Sequence, residues 1–134
     1  MARPRSETLT RRESQIMEAL WNAGSLTADG VRAVLPDGPH DSTVRTLLRI
    51  LEAKGYVEHE VRGKAYVYRA AVRRERAQRR AIHGMLARLF GGSAESLVLR
   101  LLEDEQITPD QLDEIRRSHS STRKRRSKRQ EGPQ

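Results

Sequence analysis

The strongest constraint on the fold of this chain is a series of start and stop signals between Thr10 and Arg69. They delimit three short amphipathic helices followed by a two-strand hairpin. Thr10-Arg11-Arg12-Glu13 is a capping box, in which the Thr10 hydroxyl accepts from the Glu13 backbone and Glu13 reaches back. The helix it opens carries Ile16, Met17, Leu20 and Trp21 at helical spacing and stops at Gly24. Thr27 caps a second helix bearing Val31, Val34 and Leu35, which Pro36 ends, and Asp37-Gly38-Pro39 reads as a turn. Asp41 or Ser42 is the expected cap of a third helix that closes with Gly55 at its C′ position. Two strand candidates, Tyr56 to Val61 and Ala65 to Arg69, are rich in Val and Tyr, and Arg62-Gly63-Lys64 joins them in a tight hairpin. Helix, helix, helix, hairpin is the order of a winged helix-turn-helix, so the expected fold is mainly α with a small β-hairpin.

The second half is helical. A long helix from about Val72 to Phe90 has Ile82, Met85, Leu86, Leu89 and Phe90 on one face, and Gly91-Gly92 breaks it. Ser93 caps a helix with Leu97, Val98, Leu101 and Leu102, and Thr108-Pro109-Asp110-Gln111 is a second capping box opening a helix with Leu112 and Ile115. Three such short helices bury little among themselves, so a second copy of the chain is their natural cover. The expected organisation is an arm at 1–8, a winged helix-turn-helix DNA-binding domain at 9–71, a helical dimerisation region at 72–117 and a basic tail at 118–134. Both ends are polar and expected to be without fixed structure.

Charge follows the same division. The chain has 26 Lys and Arg against 18 Asp and Glu in 134 residues, a net +8 that makes nucleic acid the first partner to consider. Residues 1–12 hold +3 of it and residues 118–134 hold +5, which leaves the body neutral. Within the body, residues 32–80 carry 12 basic and 6 acidic side chains, whereas 81–117 carry 4 and 7. A basic module precedes an acidic one.

The third helix, residues 41–54, has two chemically opposite faces. At ~100° per residue, Val44, Leu47, Leu48 and Leu51 share one arc, and Ser42, Arg45, Thr46 and Arg49 lie opposite it, with Thr43 at the boundary. Short hydroxyl side chains and arginines without an acid are what major-groove reading needs, since Arg bonds guanine bidentately and Ser or Thr reaches phosphates at close range. The same face is also compatible with plain solvation. The hairpin tips the balance, because Arg62, Lys64 and Tyr66 put two cations and an aromatic on a projecting ribbon where a wing meets the backbone or minor groove.

The run Ser42-Thr43-Val44-Arg45-Thr46-Leu47-Leu48-Arg49-Ile50-Leu51-Glu52-Ala53-Lys54-Gly55 resembles the recognition-helix block of the BlaI/MecI penicillinase-repressor family. Gly63-Lys64-Ala65-Tyr66-Val67-Tyr68 is similar to that family's wing, as are Leu9-Thr10, Glu18-Ala19-Leu20-Trp21, Phe90-Gly91-Gly92-Ser93 and Ser96-Leu97-Val98 to other blocks across residues 9–117. The resemblance implies a cytoplasmic transcriptional repressor, homodimeric on a pseudo-palindromic operator. Ser42, Thr43, Arg45, Thr46 and Arg49 would then lie in the major groove, with Arg62 and Lys64 in the wing at 61–66. Members of the family answer β-lactams through a membrane sensor protease that cuts an Asn-Phe pair soon after a Leu-Val-Leu run. Here Leu97-Val98-Leu99 is followed by Arg100-Leu101, so that pair is absent. A related copper-responsive branch uses C-terminal cysteines, and this chain has none.

Other chemistry finds little support. Without cysteine there is no disulfide framework, thiolate metal site or Cys nucleophile, and His40, His59, His83 and His119 lie far apart with no metal-type spacing. No catalytic set, phosphate-cradling loop or apolar run near ~18 residues is present, so neither an enzyme, a cofactor nor a membrane insertion is expected. Arg73, Arg74, Arg76, Arg79 and Arg80 are either a solvated helix face or a phosphate contact. The competing function is a basic, non-specific nucleic-acid-binding or architectural protein driven by arm and tail.

Overall fold

The computed structural model describes residues 8–130, so the arm expected at 1–8 lies almost wholly outside the described residues. Thr10 begins helix α1 (Arg11–Ala23) through the expected capping box, with both reciprocal hydrogen bonds formed, and Gly24 ends it at φ 88°. A short strand β1 (Ser25–Thr27) follows, which the sequence does not announce in three residues. The Thr27 hydroxyl then caps α2 (Ala28–Val34) by accepting from Gly30. Helix α3 (Asp41–Ala53) is not capped by Asp41 or Ser42: His40 is the N-cap, one residue before Asp41, its Nδ1 accepting from the Ser42 N–H at 3.3 Å. Imidazole can replace a carboxylate or hydroxyl here because it too offers a lone pair to an orphan helix donor.

The end of α3 is tightly specified. The Tyr56 N–H donates to the Leu51 carbonyl at 2.9 Å and the Gly55 N–H to the Glu52 carbonyl at 3.0 Å, the paired bonds of a Schellman motif with Gly55 at φ 84°. That turn swings the chain into β2 (Val57–Arg62) and, through Gly63 at φ 62°, into β3 (Ala65–Ala70). The antiparallel sheet has the order β1-β3-β2, with Leu26 opposite Tyr68 and His59 opposite Tyr68 from the other side. Three helices against a three-strand sheet, with the β2–β3 hairpin projecting, is a winged helix.

Its core joins Ile16, Met17 and Leu20 of α1, Val31 and Leu35 around α2, Val44, Leu48 and Leu51 of α3, and Tyr56, Val57 and Tyr68 of the hairpin. Leu47 is only half-buried and Val34 is exposed, so the apolar arcs read from the sequence are slightly wider than the buried ones. Trp21 sits at the edge of this core, and its indole N–H donates to the Val72 carbonyl at 2.9 Å. One charged group is enclosed: Glu13, 2% exposed, accepts from the Lys54 ammonium at 2.9 and 3.0 Å and from the Thr10 N–H at 2.8 Å. Burial pushes the Glu13 carboxyl up, but the Thr10 hydrogen bonds and the Lys54 charge outweigh it and hold it below the usual value.

The chain divides into two compact units between Met85 and Leu86, inside helix α4 (Arg74–Leu89). The first turn of α4 belongs with the winged unit because Ala77, like Val72 just before the helix, is buried in its core. In the second unit, Gly91 and Gly92 at φ 57° and 81° end α4, and the Ser93 hydroxyl caps α5 (Ala94–Glu103). The reciprocal Thr108–Gln111 capping box opens α6.

Helix α6 (Pro109–Gln130) departs from expectation, since it runs 22 residues through the segment 118–130, for which no structure is expected. Arg, Lys and Gln are good helix formers, and no Gly or Pro interrupts Asp110 to Gln130. Lack of apolar residues removes packing but not local helical preference.

Candidate nucleic-acid interface

Burial of Val44, Leu48 and Leu51 turns the opposite face of α3 outward, leaving Ser42, Thr43, Arg45, Thr46 and Arg49 all exposed. The hairpin contributes a second surface. Alternation along β2 and β3 puts His59, Val61, Tyr66 and Tyr68 on one face and Glu58, Glu60, Arg62 and Arg69 on the other. On the first face the His59 and Tyr66 rings stack with centroids 4.4 Å apart and planes 9° apart, and Tyr68 tilts against both.

The tertiary fold brings part of the expected set together. A cleft of about 360 Å³ is lined by Arg45 of α3, Lys64, Ala65 and Tyr66 of the hairpin, and Thr27 and Asp29 at the start of α2. A smaller hollow of about 170 Å³ joins Arg45 and Arg49 to Glu52, His59, Tyr66 and Tyr68. Arg45, Arg49, Lys64 and Tyr66 therefore share one continuous surface. Arg62 is not part of it: it lies on the other face of the hairpin, and its guanidinium is paired with Glu60 at 2.6 Å.

Several side chains that condition this surface are not singled out by the sequence. Asp41 holds the Arg45 guanidinium at 2.9 Å across one helical turn, and that hydrogen bond and charge make Arg45 an even weaker acid than usual. Asp41 thus orients Arg45 and also competes with any anion Arg45 would meet. His40 Nδ1 lies 2.9 Å from the Ser42 hydroxyl and fixes its direction. Glu52 pairs with His59 under the aromatic stack. Burial, with Glu52 next, pushes the Tyr68 phenol up, so it stays a neutral hydrogen-bonding group. Asp41 thus puts an acid on the face expected to be free of one, because residues four apart share a helix face, while the His59–Tyr66 stack depends on strand register.

Two of the arginines that begin the fourth helix have structural partners. Arg74 packs over the Trp21 ring at 5.5 Å and bonds Glu18 and Asn22, and Arg80 lies over the Tyr56 ring at 5.3 Å. Arg73, Arg76 and Arg79 are exposed.

The apolar residues expected to dimerise are incompletely covered within one chain. Ile82, Leu89, Val98 and Ile115 are exposed, Leu89 to 74%, and Met85, Leu86, Phe90, Leu97, Leu101, Leu102 and Leu112 are half-buried. In α5 and α6 no apolar residue is fully buried. Among the described residues no three His, Asp or Glu side chains are grouped to hold a metal ion, and no helix is long and apolar enough to cross a membrane.

Comparison with known proteins places the sequence in a family. The family model for the penicillinase repressor matches residues 9–120. The penicillinase repressor of Bacillus licheniformis is 27% identical over 105 residues, covering 77% of this chain and 82% of that protein. The penicillinase repressor of Staphylococcus aureus is 24% identical over 106 residues, covering 78% and 84%. The methicillin resistance regulatory protein MecI of Staphylococcus aureus strain N315 is 23% identical over 106 residues, covering 78% and 86%. A crystal structure of oxidised MarR from E. coli is similar with a TM-score of 0.48 at 15% identity, over 85% of this chain and 75% of that one. With its three capped helices, its hairpin wing and a family match spanning nearly all the described residues, the chain belongs to the penicillinase repressor (BlaI/MecI) family of transcriptional repressors, and it is not an enzyme.

Proposed function

We propose that the protein represses transcription as a homodimer on a pseudo-palindromic operator. In this reading α3 enters the major groove, and the hairpin at 61–66 lies on the backbone or minor groove. The observation that carries it is the surface shared by Arg45 and Arg49 of α3 with Lys64 and Tyr66 of the hairpin. An exposed helix face beside a cationic, aromatic ribbon offers base-edge donors and phosphate contacts at once.

Arg45 is the base reader in this scheme. Its pairing with Asp41 preorganises the guanidinium, and guanine O6 and N7 replace the carboxylate on binding. Ser42, Thr43 and Thr46 contact phosphates or base edges, and Lys64 meets phosphate. Arg62 takes a phosphate only by exchanging Glu60 for it. The exposed apolar side chains from Ile82 to Ile115 make the subunit interface, which supports the dimer because α5 and α6 bury nothing fully by themselves. Proteolytic release through an Asn-Phe pair is not part of this scheme, because Leu99 is followed by Arg100-Leu101 within α5.

The test is selection of bound duplexes from a random pool, followed by gel shifts of wild type and Arg45→Ala. The expected result is a two-fold symmetric consensus, with Arg45→Ala losing ~1–3 kcal/mol of specific affinity and relaxing one position per half-site. Equal binding of selected and random DNA by the wild type would refute the proposal.

A further inference from the structure

Helix α6 continues 13 residues past Arg117, to Gln130. Residues 116–130 contain eight Lys and Arg, no acid and no apolar side chain, and most of these cations lie beyond the residues matched to the family. Arg116 has Asp113 at 3.9 Å, and nothing acidic follows it along the described helix. Arg123, Lys124 and Arg125 are three consecutive cations with no acid within four residues on either side, an arrangement whose self-repulsion calls for counter-charge from outside the segment.

The pattern narrows what supplies it. A helix that lies in a membrane surface needs an apolar face, and so does one that packs on a protein, and this segment has none. At ~100° per residue, Arg116 and Arg123 share one side of the helix, Arg117 and Lys124 lie a quarter turn away, and Arg125 is opposite the first pair. Cations on several sides suit a ligand with negative charge on both flanks of a rod ~10–12 Å across. The major groove of B-form DNA is ~12 Å wide between two phosphate walls, whereas the major groove of A-form RNA is too narrow to admit a helix.

We propose that residues 116–129 are a second, sequence-independent DNA contact, a cationic helix seated in the major groove of duplex DNA. It rests on the proposed function only in that the chain meets DNA. Its role is to add affinity for any sequence and to sharpen the dependence on salt, while α3 supplies discrimination.

The experiment compares full-length wild type with R123Q/K124Q/R125Q, which removes charge but keeps good helix formers, and with Thr122→Pro, which keeps charge but breaks the helix. Affinity is measured for a 30-base-pair random-sequence DNA duplex, the same duplex as RNA, and anionic phosphatidylserine vesicles, from ~50 to ~200 mM salt. Three lost phosphate contacts lower the slope of log affinity against log salt by about 2.7, so over that range the triple variant loses about 40-fold less affinity than wild type. Thr122→Pro is expected to bind the DNA duplex more than tenfold more weakly, and the operator-to-random affinity ratio of the triple variant is expected to stay unchanged. Equal slopes for wild type and the triple variant overturn the contact, and full binding by Thr122→Pro overturns the seated helix. An equal loss on RNA, or a loss confined to vesicles, overturns the assignment to DNA. Arg45→Ala separates the two proposals, because it should lose operator preference while keeping the wild-type slope.

Discussion

Replacing Lys54 by methionine removes the cation that neutralises the enclosed Glu13 carboxylate while keeping most of the side chain's volume. Glu13 is 2% exposed and Lys54 22%, and the two ammonium–carboxylate contacts are 2.9 and 3.0 Å. Removing one partner of a buried pair costs about 3–5 kcal/mol. Partial exposure of Lys54 lets water approach, so the lower end, about 3 kcal/mol, is expected. Against a typical stability of ~5–15 kcal/mol this is a large loss, equivalent to a fall in Tm of about 12–24 °C for a unit of this size.

The dependence on pH gives a second readout. In the wild type the folded Glu13 carboxyl lies below its ordinary 4.5, so its contribution is complete above that value and is lost as pH falls through the lower one. In Lys54→Met the lowering by Lys54 is lost, leaving burial opposed only by the Thr10 hydrogen bonds, so the carboxyl is expected to move up from its wild-type value. The stability that wild type gains as pH rises toward 4.5 is then expected to shrink. Urea unfolding followed by Trp21 fluorescence from pH ~2.5 to ~7.5 measures both effects. Glu13→Gln/Lys54→Met should recover part of the loss. A Lys54→Met protein within 1 kcal/mol of wild type, with unchanged acid dependence, would show that the bridge does not tie the end of α3 to the start of α1.

Three further outcomes are expected. Trp21→Phe removes the indole donation to Val72 and weakens the Arg74 stack, costing about 1 kcal/mol by calorimetry. Glu105 closes α5 at φ 57°, where a side chain is strained, so Glu105→Gly should raise the melting temperature, by about 1 kcal/mol of added stability. Leu89→Asp puts a charge on the most exposed of the expected interface residues and should shift sedimentation from dimer to monomer, and an unchanged dimer would remove this face from the interface.

Much of the winged unit is legible in the sequence because its signals are local. The Thr10–Glu13 box, the Thr27 cap, the Gly55 stop and the Gly63 turn each act over three or four residues, and each forms as its spacing implies. The two faces of α3 follow from period alone. Strand β1 is not legible, because three residues carry no pattern and Ser25 to Thr27 become a strand only by pairing with β3. The helical state of residues 118–130 was also hidden, since a polar composition argues against packing without arguing against a helix.

The candidate interface divides along the same line. Helical period is enough to tell which side chains of α3 face away from the core, and the dispersed motifs are enough to tell the family. Which of those side chains meet the wing follows from the packing of the hairpin on α3. Strand register placed Tyr66 on the side of Arg45 and Arg49, and put Arg62 one pleat away with Glu60. Alternation in a strand has a period of two, so a single residue reverses the face, and the face turned toward α3 is set by burial of Val57 and Tyr68 in a core assembled from every element of the unit.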